Sequence, residues 1–253
     1  MLCGHETKTI LSVWKSGHSD CVKQFSTREK VTCLAFTHEG MYAVAGTAKG
    51  SLLVWETQYG ALVAAVSTHF GDVTSLAVDP TGELILSGGK DGLVKVSVMA
   101  EMMTDAKPMR EIQAHTKPVT KVSFNATAQR VVSSSVDRTV KVWETFTGTS
   151  LKNFHLKSEI ISHQVTADES TLFVACANKN IYVFKPDESD KAKKVLSGHR
   201  TQLTCMQLSL DEAFILAGSD EGSVYIWNAA SLELEGEFKE HHTKGAITNI
   251  VAI

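Results

Sequence analysis

The sequence predicts an all-β chain, a β-propeller of four-stranded blades, and two lattices in phase with each other predict it. The first is aromatic. Trp14, Trp55, Trp143 and Trp227 each end one phrase, a small or polar turn followed by an alternating run, and the same phrase ends at Ser97 and Phe184. The steps between these six positions are 41, 42, 46, 41 and 43 residues. That period belongs to radial β repeats, not to a solenoid of helices. The second lattice pairs histidine with an acid. Asp91, Asp137 and Glu221 each stand six residues before a phrase end, and His69, His115 and His199 each stand 22 residues before the acid.

Each repeat reads as four short strands. In the third, Val119–Phe124 alternates apolar and polar side chains, as a half-buried strand does. Arg130–Ser135 follows an Asn-Ala-Thr-Ala-Gln turn, Asp137-Arg138 turns the chain into Thr139–Trp143, and Ser150–Phe154 is the outer strand. The other inner strands are Val31–Phe36, Val73–Val78, Ile160–Val165, Leu203–Leu208 and Ile247–Ala252. Four prolines in the whole chain, none central to these runs, leave the ladders their N–H donors.

Five blades are complete on this reading, with partial blades at both ends. Residues 1–25 supply two strands, around Trp14 and Cys21–Phe25, and the chain stops just after an inner strand. The expectation is one domain over residues 1–253, a fragment of a larger propeller or an irregular small one, since a ring closes by pairing its ends. Two linkers interrupt the rhythm. Met99–Arg110 carries Met99, Met102, Met103 and Met109 and accounts for the longest step. It reads either as an adaptable partner surface through Met102 and Met103 or as a short plug on the propeller side. Lys185–Lys194 is charged and reads as solvated surface.

Composition narrows the function classes. With 253 residues, 43% hydrophobic and 21% charged, the chain has an ordinary globular composition, and a net charge of −3 gives no broad basic footprint for nucleic acid. The start is polar within five residues, and no apolar run approaches the ~18–20 residues that span a bilayer, so no membrane role is expected. The five cysteines contain no CxxC pair and read as buried thiols of an intracellular protein. The sequon Asn125-Ala126-Thr127 has no meaning in that compartment.

His115, Ser133 and Asp137 imitate a catalytic triad, but the set recurs in decayed form. His69, Ser87 and Asp91 lead to Ser97, while His199, Ala217 and Glu221 lead to Trp227. A set repeated blade by blade is structural. The residues His69, Ser87, Asp91, His115, Ser133, Asp137, Trp143, His199, Glu221 and Trp227 are therefore expected to form polar relays within blades, and no catalytic residue is expected. There is no phosphate-binding glycine motif, and the adjacent pair His241-His242 lacks metal-site spacing, so neither cofactor nor metal is expected.

These residues resemble the WD-repeat family, with Gly198-His199 as a repeat start and Trp143-Glu144, Trp55-Glu56 and Trp227-Asn228 as varied ends. Longer strings, among them His69-Phe70-Gly71-Asp72-Val73 and Gly245-Ala246-Ile247-Thr248-Asn249, resemble the WD-repeat subunits of the rixosome over residues 29 to 253. That resemblance implies a non-catalytic scaffold in maturation of the pre-60S ribosomal particle and in rRNA processing, in the nucleus. The implied partners are other rixosome subunits, a midasin-type AAA ATPase and pre-60S particles, with rRNA contacted indirectly and no small-molecule substrate. Candidate contacts are Lys90, Lys117, Arg200 and Asp220 in the repeat turns, beside Met102 and Met103. The alternative is a peptide-binding adaptor or substrate receptor of ubiquitin-ligase or signalling assemblies. Ser97 departs from the family pattern, as does the absence of further N-terminal propeller sequence and a C-terminal helical tail.

Overall fold

The computed structural model describes residues 2–4, 10–14, 21–37, 40–104, 107–239, 245–248 and 250. Six antiparallel sheets account for its strands. The N-terminal sheet has three: β1 (Leu2–Gly4), β2 (Ile10–Trp14) and β3 (Cys21–Ser26). The two strands expected there are thus joined by a third, because Leu2–Gly4 pairs in register with Leu11–Val13. The first four-stranded blade is β4 (Val31–Phe36), β5 (Tyr42–Thr47), β6 (Ser51–Glu56) and β7 (Ala61–Ser67). The second is β8 (Val73–Val78), β9 (Leu84–Gly89), β10 (Val94–Val98) and, after the short helix α1 (Met99–Met102), β11 (Arg110–Ile112). The third is β12 (Val119–Phe124), β13 (Arg130–Ser135), β14 (Thr139–Glu144) and β15 (Ser150–His155).

Two further blades follow. One is β16 (Ile160–Val165), β17 (Leu172–Cys176), β18 (Ile181–Phe184) and β19 (Lys194–Leu196). The other is β20 (Leu203–Leu208), β21 (Phe214–Ser219), β22 (Ser223–Asn228) and β23 (Leu234–Lys239). Each is a four-stranded antiparallel sheet of the kind that forms a β-propeller blade. The chain divides into two compact units, Met1–Ser133 with Val142–Leu151, and Ser134–Lys141 with Lys152–Ile253.

Within the first unit, second strands are the most buried elements. Leu84–Gly89 is buried along its whole length, as a strand covered on both faces requires. Successive blades dock through a repeated small-residue contact. A Cβ at Gly46 would stand 2.7 Å from the Val73 side chain and 2.6 Å from Cys33 Sγ. Thr32 spans the same joint, its hydroxyl donating to the Gly46 and Val73 carbonyls at 3.0 and 2.5 Å.

The second unit repeats this device. A Cβ at Gly218 would stand 2.7 Å from Cys205 Sγ and 2.8 Å from Ile247 Cγ2. The Thr204 hydroxyl donates to the Gly218 carbonyl at 3.2 Å and also to the Ile247 carbonyl. Ile247 therefore takes the place that Val73 has, the first residue of an inner strand. The strand expected over Ile247–Ala252 is not formed at Ile247, Thr248 or Ile250, while Asn249, Val251 and Ala252 lie outside the described residues. One hydrogen bond, from Ile247 N–H to the Ser219 carbonyl at 2.9 Å, fixes the entry.

The methionine linker is a plug. Met99 and Met102 are 5% exposed each and pack in one core with Val44, Leu52 and Val54 of the first blade and Val73 and Ile85 of the second. Trp143 has the corresponding position one blade on, packed against Leu84, Leu86, Val94 and Val96. The second blade has Ser97 where that indole would be, and the two thioethers fill the space. Met102, a candidate partner contact on the sequence reading, is instead buried in this core and out of reach of solvent. Met103, 38% exposed, is the surface residue of that pair.

Candidate functional site: buried relays under the repeat turns

The relay positions lie where the loop entering an inner strand meets the turn after a second strand. In the second blade the set is complete apart from its aromatic. His69 Nδ1 lies 3.1 Å and 3.2 Å from the two Asp91 carboxylate oxygens, and Nε2 lies 2.8 Å from Ser87 Oγ. The network assigns the tautomer: Nδ1–H donates to the carboxylate and Nε2 accepts from the hydroxyl. Asp91 also accepts the N–H of Phe70 at 3.0 Å and of Leu93 at 3.1 Å. A Cβ at Gly89 would lie 2.3 Å from His69 Nδ1, so only glycine leaves the imidazole room beside that strand.

In the third blade the indole joins. Ser133 Oγ shares a hydrogen bond with His115 Nε2 at 2.9 Å and accepts the Trp143 Nε1–H at 3.0 Å. Asp137 accepts the Thr139 N–H at 3.0 Å and its hydroxyl at 2.6 Å, which pins the turn. Ser133 is 0% exposed, and its hydroxyl is committed on both sides, so no substrate can reach it as a nucleophile. We expect Ser133→Ala to cost about 1–3 kcal/mol, because it removes the buried hydroxyl that the indole N–H and the imidazole nitrogen both bond. Urea unfolding of the variant checks this, and an unchanged midpoint would remove Ser133 from the list of structural residues.

The last blade solves the same problem differently. With Ala217 in the serine position, Trp227 Nε1–H donates directly to His199 Nε2 at 3.0 Å, and His199 Nδ1–H donates to the Lys179 carbonyl at 2.7 Å. Glu221 was expected to be the acid of this relay. It is exposed, and the backbone carbonyl takes its role because it lies in line with Nδ1. The blade ending at Phe184 has no relay at all. Leu156 and Val174 occupy the histidine and serine positions, and Phe184 packs on Phe154 with ring centroids 5.2 Å apart. In this blade the N–H donor and its acceptors are gone together, as buried polar groups demand, whereas the second blade keeps His69 and Ser87 bonded to each other without an indole. His163 was not anticipated from the sequence. It is 0% exposed, and its Nδ1 bonds Ser134 Oγ at 2.9 Å. Ser134 stands where other blades have glycine, and that polar replacement was the available signal.

Burial lowers the pKa of both His69 and His199, against the opposing pull of Asp91 on His69 and of the Lys179 carbonyl on His199. A histidine held below its unfolded value of about 6.5 favours folding above that pH. As pH falls through about 6.5, the unfolded chain takes up protons that the folded one refuses, so stability falls. Denaturant midpoints measured from pH 8 to pH 5.5 should therefore decline, and His69→Gln with His199→Gln should flatten the slope. Burial also pushes the Cys33 and Cys176 thiols up to about 12, which leaves them protonated and unreactive.

Of the candidate contacts in the turns, Lys90 is exposed and lies 3.8 Å from Asp72. Lys117, Arg200 and Asp220 are exposed as well. Among the described residues no cluster of three or more His, Cys, Asp or Glu could hold a metal. His241 and His242 lie outside the described residues. No described helix is long and apolar enough to cross a membrane.

The family model described as "WD domain, G-beta repeat" matches residues 15–56, 60–96, 106–144 and 190–228, more than half of the sequence. The chain belongs to the WD40 family. Its matched WD40 repeats skip the Phe184 blade, which the structure nevertheless builds with four strands. The chain is 30% identical to human WD repeat-containing protein 18, over 98% of its own length and 61% of that protein. It is 27% identical to Pre-rRNA-processing protein IPI3 of Yarrowia lipolytica, over 95% of its own length and 62% of that protein. Protein ROOT INITIATION DEFECTIVE 3 of Arabidopsis thaliana is 26% identical over 81% of the chain. None of these names describes a catalyst. The chain spans about three fifths of the length of the first two relatives.

Proposed function

We propose that this protein is a non-catalytic WD-repeat scaffold in maturation of the pre-60S ribosomal particle and in rRNA processing. The observation that carries the reading is the similarity to a pre-rRNA-processing protein over 95% of the chain. The relay geometry supports it from the physical side, since the triad-like serines Ser87 and Ser133 are both buried inside blades and serve packing. The scaffold holds other rixosome subunits, and through them a midasin-type AAA ATPase, and it works in the nucleus. Its contact with rRNA is indirect, in keeping with a net charge of −3.

The test is affinity purification of the natural full-length protein from nuclear extract, with mass spectrometry of what accompanies it and northern analysis of pre-rRNA after depletion. Recovery of rixosome subunits and pre-60S factors, with accumulation of spacer-containing precursors, is the expected result. Recovery of ubiquitin-ligase or signalling components with normal precursors would replace this reading by that of a peptide adaptor.

A further inference from the structure

Four basic side chains on outer strands end in the same kind of place. Lys23 of β3 donates through Nζ to the Thr57 carbonyl at 2.9 Å and to the Gln58 carbonyl. Arg110 of β11 donates through Nε to the Phe146 carbonyl. Lys152 of β15 reaches the Pro186 carbonyl and, at 3.3 Å, the Asp187 carboxylate. Lys194 of β19 reaches the Ser231 and Leu232 carbonyls at 3.3 and 3.1 Å. Each acceptor lies in the turn between the third and outer strands of the next sheet, two to five residues after Trp55, Trp143, Phe184 or Trp227. Both members of every pair lie inside one compact unit. The separations along the chain run from 34 to 38 residues, so the contact follows from blade stacking and not from a local motif.

These bonds differ from ordinary surface ion pairs. An exposed pair gains little, because two long side chains must be ordered to make it. Here one partner is a backbone carbonyl that the hairpin already holds, so only the cationic side chain gives up freedom, and the bond is charge-assisted. One joint lacks the cation. Val63 is the third residue of β7, the place that Lys23 and Lys152 take in β3 and β15. The sheet that follows β7 carries α1 after its third strand in place of a plain turn. Met99 and Met102 of that helix pack on Val54, Ala64 and Val66 of the first blade, and Val63 packs against the same core. Apolar contact thus holds the one joint where no cation reaches across.

We propose that the outer-strand cation is a conformational strap, repeated from sheet to sheet, that fastens each outer strand to the turn of the next sheet, and that the methionine plug replaces it between the first and second blades. The outer hairpin is the edge of its sheet and has no further strand to hold it. Such a segment opens at a low free energy unless something outside the hairpin restrains it. The strap supplies that restraint from the neighbouring sheet, so opening of one outer hairpin is coupled to the sheet before it. The inference goes beyond the proposed ribosomal role and does not depend on it.

Amide hydrogen exchange of the full-length protein, read by mass spectrometry, tests it. Lys23→Met, Lys152→Met and Lys194→Met keep an unbranched side chain and remove the donor, while the matching arginine variants restore one. The expected result is exchange at least fivefold faster in the turn of the next sheet, at residues 57–60, 186–189 and 230–232 respectively. The substituted strand should keep its natural rate, and the arginine variants should exchange like the natural protein. Lys23→Met should leave residues 99–104 unchanged, whereas Met99→Ala should speed exchange there and in β7. Natural rates in the next turn, a rise confined to the substituted strand, an equal rise with arginine, or no response of β7 to Met99→Ala would overturn the proposal. The three lysines act at separate joints, so a variant that fails to fold leaves the other two to decide by the same criteria.

Discussion

Trp227→Ala is expected to destabilise the protein by about 3–5 kcal/mol, the range for truncating a buried aromatic. The indole is 5% exposed and shares one core with Phe173, Val183 and Leu196 of the neighbouring blade as well as Ile215 of its own. It also makes the last bond of a chain that runs through His199 to the Lys179 carbonyl. Trp227→Phe separates the two contributions. It keeps most of the apolar contact but leaves His199 Nε2 without a donor, at about 1–3 kcal/mol. Adding His199→Leu to Trp227→Phe should recover part of that loss, because removing both partners is cheaper than orphaning one. The Phe184 blade already uses such an apolar set, with Leu156, Val174 and Phe184. Urea unfolding followed by far-ultraviolet circular dichroism reads all three variants. If His199→Leu makes Trp227→Phe worse, the relay is not the source of the difference.

Met99→Ala and Met102→Ala should each cost about 2–5 kcal/mol, a large effect for residues in a linker. A four-residue helix has no stability of its own. It is held by two buried thioethers and by the Met99 N–H donating to the Glu83 carbonyl at 2.7 Å. Ser97→Trp in the natural background should also destabilise, by about 1–3 kcal/mol, because the indole arrives in space already filled. Combined with the two alanines, the tryptophan should cost less than the separate losses predict, since it refills the vacated volume. Strict additivity would mean that Ser97 and the methionines do not share a cavity.

Much of this was legible because β blades repeat. Period and alternation placed the inner strands at Val31, Val73, Val119, Ile160 and Leu203, and each begins at that residue. The lattice also anticipated a blade at Phe184 without a tryptophan to mark it. The relay was partly legible. Spacing put His69 near Asp91, but it also nominated Glu221, because an acid at the right offset looks alike whether its side chain turns inward or out to water. Hydrogen-bond direction depends on which acceptor lies in line with Nδ1, and a backbone carbonyl leaves no trace in residue identity.

Fold class, blade period and the family follow from the sequence by itself, because they rest on a repeated pattern of side-chain polarity that the chain writes out six times. The tertiary structure decided what fills a gap in that pattern. The two methionines that replace an indole at Ser97 come from outside the repeat, so no periodicity marks them; packing to full density selects them. It likewise decided that Phe70 stands outward on a fixed loop. An aromatic in a strand-rich chain reads as core by composition, and only the hydrogen bonds that Asp91 accepts from the Phe70 N–H and the Gly50 carbonyl accepts from the Thr68 and His69 N–H groups show that the loop is held while the ring is left to solvent.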